Sequence, residues 1–215
     1  NVSYGKSNSY SISESGTFNG DPFNLVSNPN EFLNKIFWGS TDDPLEDIRV
    51  NASNSESKSE GQNLSANASL QVNRRLNNQG RNITFRGTFS YGDNDSEQFS
   101  ESLTRYFDDN AKKEDDERKQ YTTSPTKSYD YTAELTYSEP IARATFLQFR
   151  YKFQYKYSES DRSTYSLIPD ADKGQDWFWN FGDGLPEGYE ENKDRDLSKY
   201  AQYKYYNHDI NAGLN

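Results

Sequence analysis

Residues 70–87, LQVNRRLNNQGRNITFRG, set a polar turn between two runs in which apolar and polar residues alternate. Before the turn, Leu64, Ala66, Ala68, Leu70 and Val72 share one parity, and Ser65, Asn67, Ser69, Gln71 and Asn73 share the other. After it, Ile83, Phe85, Gly87, Phe89 and Tyr91 alternate with Thr84, Arg86, Thr88 and Ser90. A period of two marks a strand with one apolar and one wet face, and two such runs around a short turn predict a β-hairpin. Its apolar face needs a cover, which would be the core of a soluble sandwich, a partner, or lipid.

Composition narrows the choice. Of the 215 residues only 31% are hydrophobic, yet 15% are aromatic, with 17 Tyr, 13 Phe and 3 Trp. Leu, Ile and Val are too sparse to fill a conventional core of this size. Disordered chains share the low hydropathy but are poor in aromatics. A chain that is polar on average and rich in Tyr and Phe suits long strands with one wet face. The net charge of −10 excludes a basic nucleic-acid surface. There is no Cys, so disulfides and thiolate metal sites are excluded as well. No apolar run approaches the roughly 20 residues of a membrane helix, which speaks only of helices. There is no Met and both ends read as cut, so the chain is expected to be a piece of something larger.

Working outward from the hairpin, alternation predicts about six long strands. The first runs from Asn1 to about Ser13, the second from Ile48 to Leu76 and the third from Arg81 to about Gly92. A fourth carries Tyr129, Tyr131, Ala133, Leu135 and Tyr137 on one face. The turn SEPIAR joins it to a fifth with Leu147, Phe149, Tyr151, Phe153, Tyr155 and Tyr157 on one face and Arg150, Lys152 and Lys156 on the other. The sixth, LSKYAQYKYYNHDINAGLN, shifts parity at Tyr205–Tyr206, which predicts a bulge.

Long loops at about 17–47, 93–127 and 158–196 alternate with the short turns. Soluble sandwiches show no such order, whereas transmembrane β-barrels have short periplasmic turns and long extracellular loops. The favoured fold is therefore all-β: an antiparallel transmembrane β-barrel segment, with residues 1–215 belonging to one outer-membrane barrel domain. Six strands are too few for such a barrel, which needs at least about eight, so the chain is expected to be part of a larger one. Leu70, Val72, Ile83, Phe85, Phe89, Leu135, Leu147, Phe149, Tyr151 and Phe153 are expected to face lipid. Tyr151, Tyr155, Tyr157, Tyr203 and Tyr205 are expected in an aromatic girdle, where the ring is apolar and the hydroxyl stays wet. The competing reading is a soluble, secreted carbohydrate-binding or adhesin-like β-domain.

The stretch NRRLNNQGRNITFRGTFSY resembles a recurrent hairpin of Bacteroidota-type outer-membrane β-barrel proteins related to TonB-dependent receptors. YDYTAELTYSEPIARATFLQFRYKFQYKYSESD resembles their next hairpin, with its Y-x-E-P-I turn and Tyr-rich rising strand, and LSKYAQYKYYNHDINAGL resembles a descending strand. The likeness covers about residues 60–160 and 196–215. It implies a barrel of about 22 strands in the outer membrane of a Gram-negative bacterium, serving nutrient uptake or surface ligand binding. The implied partners are outer-membrane lipid, the remainder of the barrel, a plug domain, a surface lipoprotein and a TonB-type energiser. Nothing in the chain itself resembles a plug.

For local chemistry, DADKGQDWFWNFGDG stands out. Asp170, Asp172 and Asp176 around Gly174 resemble the start of a calcium loop, although the spacing is not met and no Glu follows at the twelfth position. A solvated acidic loop is the simpler reading. Trp177, Phe178, Trp179 and Phe181 would stack on a sugar or anchor a partner, or else pack the loop onto its neighbours, the simpler alternative. NPNEFLNKIFWG reads as a short amphipathic helix over the barrel mouth, and DDNAKKEDDERKQ as a solvated mixed-charge loop. His208 is the only histidine, no carboxylate pair stands in a persuasive context, and no enzyme activity or cofactor other than calcium is expected.

Overall fold

The computed structural model describes residues 1–33, 43–107, 115–142 and 145–214. Among the described residues, seven antiparallel strands make one sheet of barrel type: β1 (Val2–Phe18), β2 (Arg49–Arg75), β3 (Asn82–Tyr106), β4 (Asp116–Thr123), β5 (Thr126–Ala142), β6 (Thr145–Ser166) and β7 (Lys193–Leu214). The opening hairpin is β2–β3, which runs in unbroken register from Asn51↔Tyr106 to Arg75↔Asn82. Its turn is held by Asn77, whose side chain accepts from the Gln79 and Arg81 amides, and by Arg75, which donates to the Asn77 and Asn78 carbonyls. Gly80 sits at φ 105°, a conformation that a Cβ would strain.

β3 pairs with both β4 and β5, and both pair with β6, so these pairings close a circuit. The reason is local. Glu97↔Thr123 continues the register of Asn94↔Thr126, and Thr123↔Ser163 continues that of Thr126↔Ser160. β4 and β5 are thus collinear and interrupted only at Ser124–Pro125. Pro125 has no amide hydrogen to give the ladder. Its carbonyl still accepts from Asp161, and the Ser124 amide still donates to Ser96. With β4 and β5 taken as one line, each strand lies beside its sequence neighbours, with β1 and β7 outermost. Among the described residues no ladder joins β1 to β7.

Two short connections, at 76–81 and between β5 and β6, lie at one end of the sheet, and the connections at 19–48, 107–115 and 167–192 lie at the other. The strands outrun the sequence reading at this second end. β1 reaches Phe18, β3 reaches Tyr106 and β6 reaches Ser166, so much of what was read as loop over 93–127 and 158–196 is strand. Asp116–Thr123, the first five residues of which come from the mixed-charge run, is also strand, while residues 108–114 lie outside the described residues. The expected bulge at Tyr205–Tyr206 is absent: β6–β7 holds one register from Leu147↔Leu214 to Arg162↔Lys199 and shifts only between Arg162 and Thr164. The expected helix over NPNEFLNKIFWG begins as a 3-10 turn at Pro29–Phe32, and its remainder falls outside the described residues.

Little of the sheet is covered by the chain itself. The buried apolar cluster is Tyr121, Leu167 and Trp179, at the loop end. Leu45, Ala52 and Arg49 are buried as well, with the Arg49 guanidinium on the Asp43 carboxylate at 2.8 Å.

Candidate functional site: a two-faced wall

Cross-strand register shows which side chains share a face. One face carries, strand by strand from β2 to β7, the rows Ala68–Phe89–Tyr131–Tyr155–Tyr206, Leu70–Gly87–Ala133–Phe153–His208 and Val72–Phe85–Leu135–Tyr151–Ile210. Below them lie Arg74, Ile83, Tyr137, Phe149 and Ala212, then Leu147 and Leu214. All ten residues singled out for the apolar side of the sheet stand on this face. Leu70, Val72, Phe85, Phe89, Leu135, Phe149 and Tyr151 are exposed there.

The band has sharp limits. Its top row is Ala66–Tyr91–Tyr129–Tyr157–Lys204, with the Lys204 ammonium 6.0 Å from the Tyr157 ring centroid, and the next row outward is Leu64–Asp93–Lys127–Glu159–Gln202. Tyr91 donates to the Asp93 carboxylate at 2.9 Å and Tyr157 donates to Glu159, so the rim hydroxyls point out of the band. Tyr137 does the same at the bottom, donating to Glu139, which is clamped by Arg81 at 2.6 and 2.5 Å. Between these limits the band is nine residues tall on β3 (Ile83–Tyr91) and eleven on β6 (Leu147–Tyr157). At about 3.3 Å per residue and a strand tilt of about 40°, that is roughly 20–25 Å.

The opposite face is polar over the same height. One row runs Gln71–Arg86–Glu134–Lys152–Asp209, with charge alternating from strand to strand. Above it lie Ser69–Thr88–Thr132–Gln154–Asn207, then Asn67–Ser90–Asp130–Lys156–Tyr205, then Ser65–Gly92–Ser128–Ser158–Tyr203. Tyr203 and Tyr205 therefore stand on the polar face, which corrects their expected place among the girdle tyrosines. Their rings are parallel within 9°, with centroids 6.3 Å apart. The top two rows, without Tyr205 but together with Tyr91, Tyr129 and Tyr157, line an open groove of about 460 Å³. Further out, β1 meets β2 through hydroxyl pairs, Ser3–Ser65, Ser9–Ser59 and Ser11–Ser57, at 2.7–2.9 Å.

The aromatic loop folds back on the sheet beyond the band. Trp179 is 1% exposed and stacks on Phe99 of β3, with Phe181 edge-on to it and Phe181 also touching Tyr10 of β1. Tyr121 and Tyr189 meet edge-on beneath the same loop. Burial, with the Glu97 carboxylate nearby, raises the Tyr121 hydroxyl well above its ordinary value. Packing thus accounts for Trp179 and largely for Trp177 and Phe181. Phe178 is 75% exposed and lies over the Lys119 ammonium at 5.1 Å.

The three aspartates do not form a cation cage. Asp170 accepts from the Asp172 amide and pairs with Lys173 at 3.4 Å, as a cap on the 3-10 turn Ala171–Lys173. Among the described residues no three acidic or His side chains converge as a metal site. His208 stands in the apolar band, its Nδ1 2.8 Å from the Tyr151 hydroxyl. The groove lined by Tyr203 escaped the sequence reading, because only cross-strand register brings β2 and β7 residues into one line.

No family model, curated protein or solved structure matches the chain.

Proposed function

We propose that this chain is part of the wall of an outer-membrane β-barrel resembling those of TonB-dependent receptors in Gram-negative bacteria, and that the barrel serves nutrient uptake or surface ligand binding. The observation that carries this reading is the exposed apolar band, roughly 20–25 Å tall, with tyrosines at its rim and charge immediately beyond. Transmembrane barrels present an outward apolar band of about 25 Å between aromatic girdles and a polar interior. The alternating charges of Arg86, Glu134, Lys152 and Asp209 suit a wet lumen, since the same groups facing hydrocarbon would cost about 2–4 kcal/mol for each cation near the midplane. The short connections then lie on the periplasmic side and the loops outside.

The unpaired edges of β1 and β7 suit further strands of the same barrel, since an edge in lipid would leave backbone groups without partners. A soluble secreted domain would leave the band in water, an apolar patch far larger than soluble monomers show. The test is fractionation of the intact protein. It is expected in the outer-membrane fraction, resistant to alkaline washing and released only by detergent. Recovery as a monodisperse species in plain buffer, with none in the membrane fraction, would overturn the reading.

A further inference from the structure

We propose that the outer end of the polar face holds an oxyanion site, built by Arg162 of β6 and Lys199 of β7, for a solute that carries phosphate or carboxylate groups. This rests on that face being the wet interior of the wall. Arg162 and Lys199 stand directly opposite each other, the last pair before the β6–β7 register slips. Like charges opposite each other on neighbouring strands, with Cβ atoms about 5 Å apart, weaken a ladder. Both residues are exposed, and neither joins an ion pair among the described residues. Asp194, opposite Thr164 just past the slip, accepts from the Asp196 and Leu197 amides through Oδ1 and pairs with neither base. The two cations thus repel each other with no carboxylate on them, and an anion held between their side chains would reverse that repulsion.

The surroundings favour an anion as well. From this row down to Arg75, the polar face carries Arg75, Arg86, Arg150, Lys152, Lys156, Arg162 and Lys199 against only Asp130, Glu134 and Asp209. The chain as a whole has a net charge of −10, so this face is opposite in sign to the rest of it. A concave surface lined by one sign of charge raises the local concentration of the other. The bases differ in how far they are already matched. Lys156 meets Asp130 at 3.6 Å, and Lys152 lies between Glu134 and Asp209. Arg150 lies between Thr136 and Asn211, and Arg162 faces only Lys199 across the β6–β7 ladder. The open positive charge is therefore greatest at the outer pair, where two cations act together. The guanidinium fork of Arg162 matches two oxygens of a carboxylate or phosphate, and the Lys199 ammonium adds a point charge beside it.

The test uses the intact protein in detergent and calorimetric titration with inorganic tripolyphosphate and with citrate, which separate phosphate from carboxylate recognition. At least one of the two is expected to bind, with affinity that falls as salt is raised. Arg162→Gln and Lys199→Gln together are expected to lower that affinity about 10-fold or more, the effect of losing charge-assisted hydrogen bonds. Lys204→Gln removes a charge from the opposite face of β7 and is expected to leave binding within about 3-fold of wild type. Binding of neither anion, indifference to the double substitution, or an equal loss in Lys204→Gln would each overturn the proposal. The double substitution relieves a like-charge pair at an exposed position, so the variant is expected to fold. Outer-membrane assembly of every variant is followed in parallel. Normal assembly with no anion binding refutes the site alone, whereas absence of the wild-type protein from the membrane refutes the barrel reading.

Discussion

Ala133 lies at mid-height of the apolar band, between Gly87 of β3 and Phe153 of β6. Replacing it with arginine removes almost no contact area, so the measured effect is nearly all the effect of the new cation. If the band faces hydrocarbon, Ala133→Arg should cost about 2–4 kcal/mol, or roughly 30- to 1000-fold in the folding equilibrium. Thr132 is its neighbour on the opposite face, between Thr88 and Gln154, and Thr132→Arg should stay within about 0.5 kcal/mol of wild type. Tyr137→Arg, at the lower rim, should carry an insertion cost of only about 0–1 kcal/mol. The assay is reversible urea unfolding of the intact protein in phosphatidylcholine vesicles, with tryptophan fluorescence as the signal. A cost that peaks at Ala133 and falls toward the rim is the signature of a slab of hydrocarbon. Equal costs for Ala133→Arg and Thr132→Arg, or a flat profile down the apolar face, would refute the reasoning, because a protein core has no depth coordinate.

Three further outcomes are expected. Trp179→Ala should release the 167–192 connection from Phe99 and Tyr121, at about 3–5 kcal/mol of local stability, and limited proteolysis should then cut within that segment while the band stays protected. Arg49→Met leaves the Asp43 carboxylate buried without its partner, so the 19–48 connection should loosen by about 3–5 kcal/mol, visible as faster hydrogen exchange there. The Tyr121 hydroxyl ionises later in the folded chain than in the unfolded one, so below the ordinary value of 10.0 it leaves stability unchanged, and above it stability falls with rising pH. Absorbance at the tyrosinate band should therefore show a late-titrating group that Tyr121→Phe removes.

The parts of this fold that were legible in the sequence are those where the two faces of a strand differ. β2 from Leu64, β3 to Tyr91, and β5 and β6 across the band alternate because one side is apolar and the other is not. Beyond the rim that contrast disappears. From Asp93 to Glu97 on β3 both faces are polar, so period-two patterning has nothing to register even though the ladder continues to Tyr106. The broken β4–β5 line was hidden in a charged run for the same reason. Tyr203 and Tyr205 were placed on the wrong side because tyrosine suits either face, and only the partners Ser158 and Lys156 decide. The loop tryptophans were legible as a cluster. That Trp179 would be spent on packing depended on Phe99 and Tyr121, which lie far off in the chain.

The interruption at Ser124–Pro125 has a mechanical consequence. At the same level of the sheet the β6–β7 ladder slips between Arg162 and Thr164, where the Ser198 hydroxyl patches the gap by accepting from the Thr164 amide at 3.0 Å. Regular bonding is thus interrupted at one level of the β4–β5 line and of the β6–β7 ladder, while the β1–β2 and β2–β3 ladders run through that level unbroken. Below it the hydrogen-bonded strands form a stiff plate. Above it lie β4, the end of β6 and the packed aromatic loop. Local opening is expected to start at this level, so amide hydrogen exchange around Pro125 and Ser163 should be faster than in the ladders that carry the band.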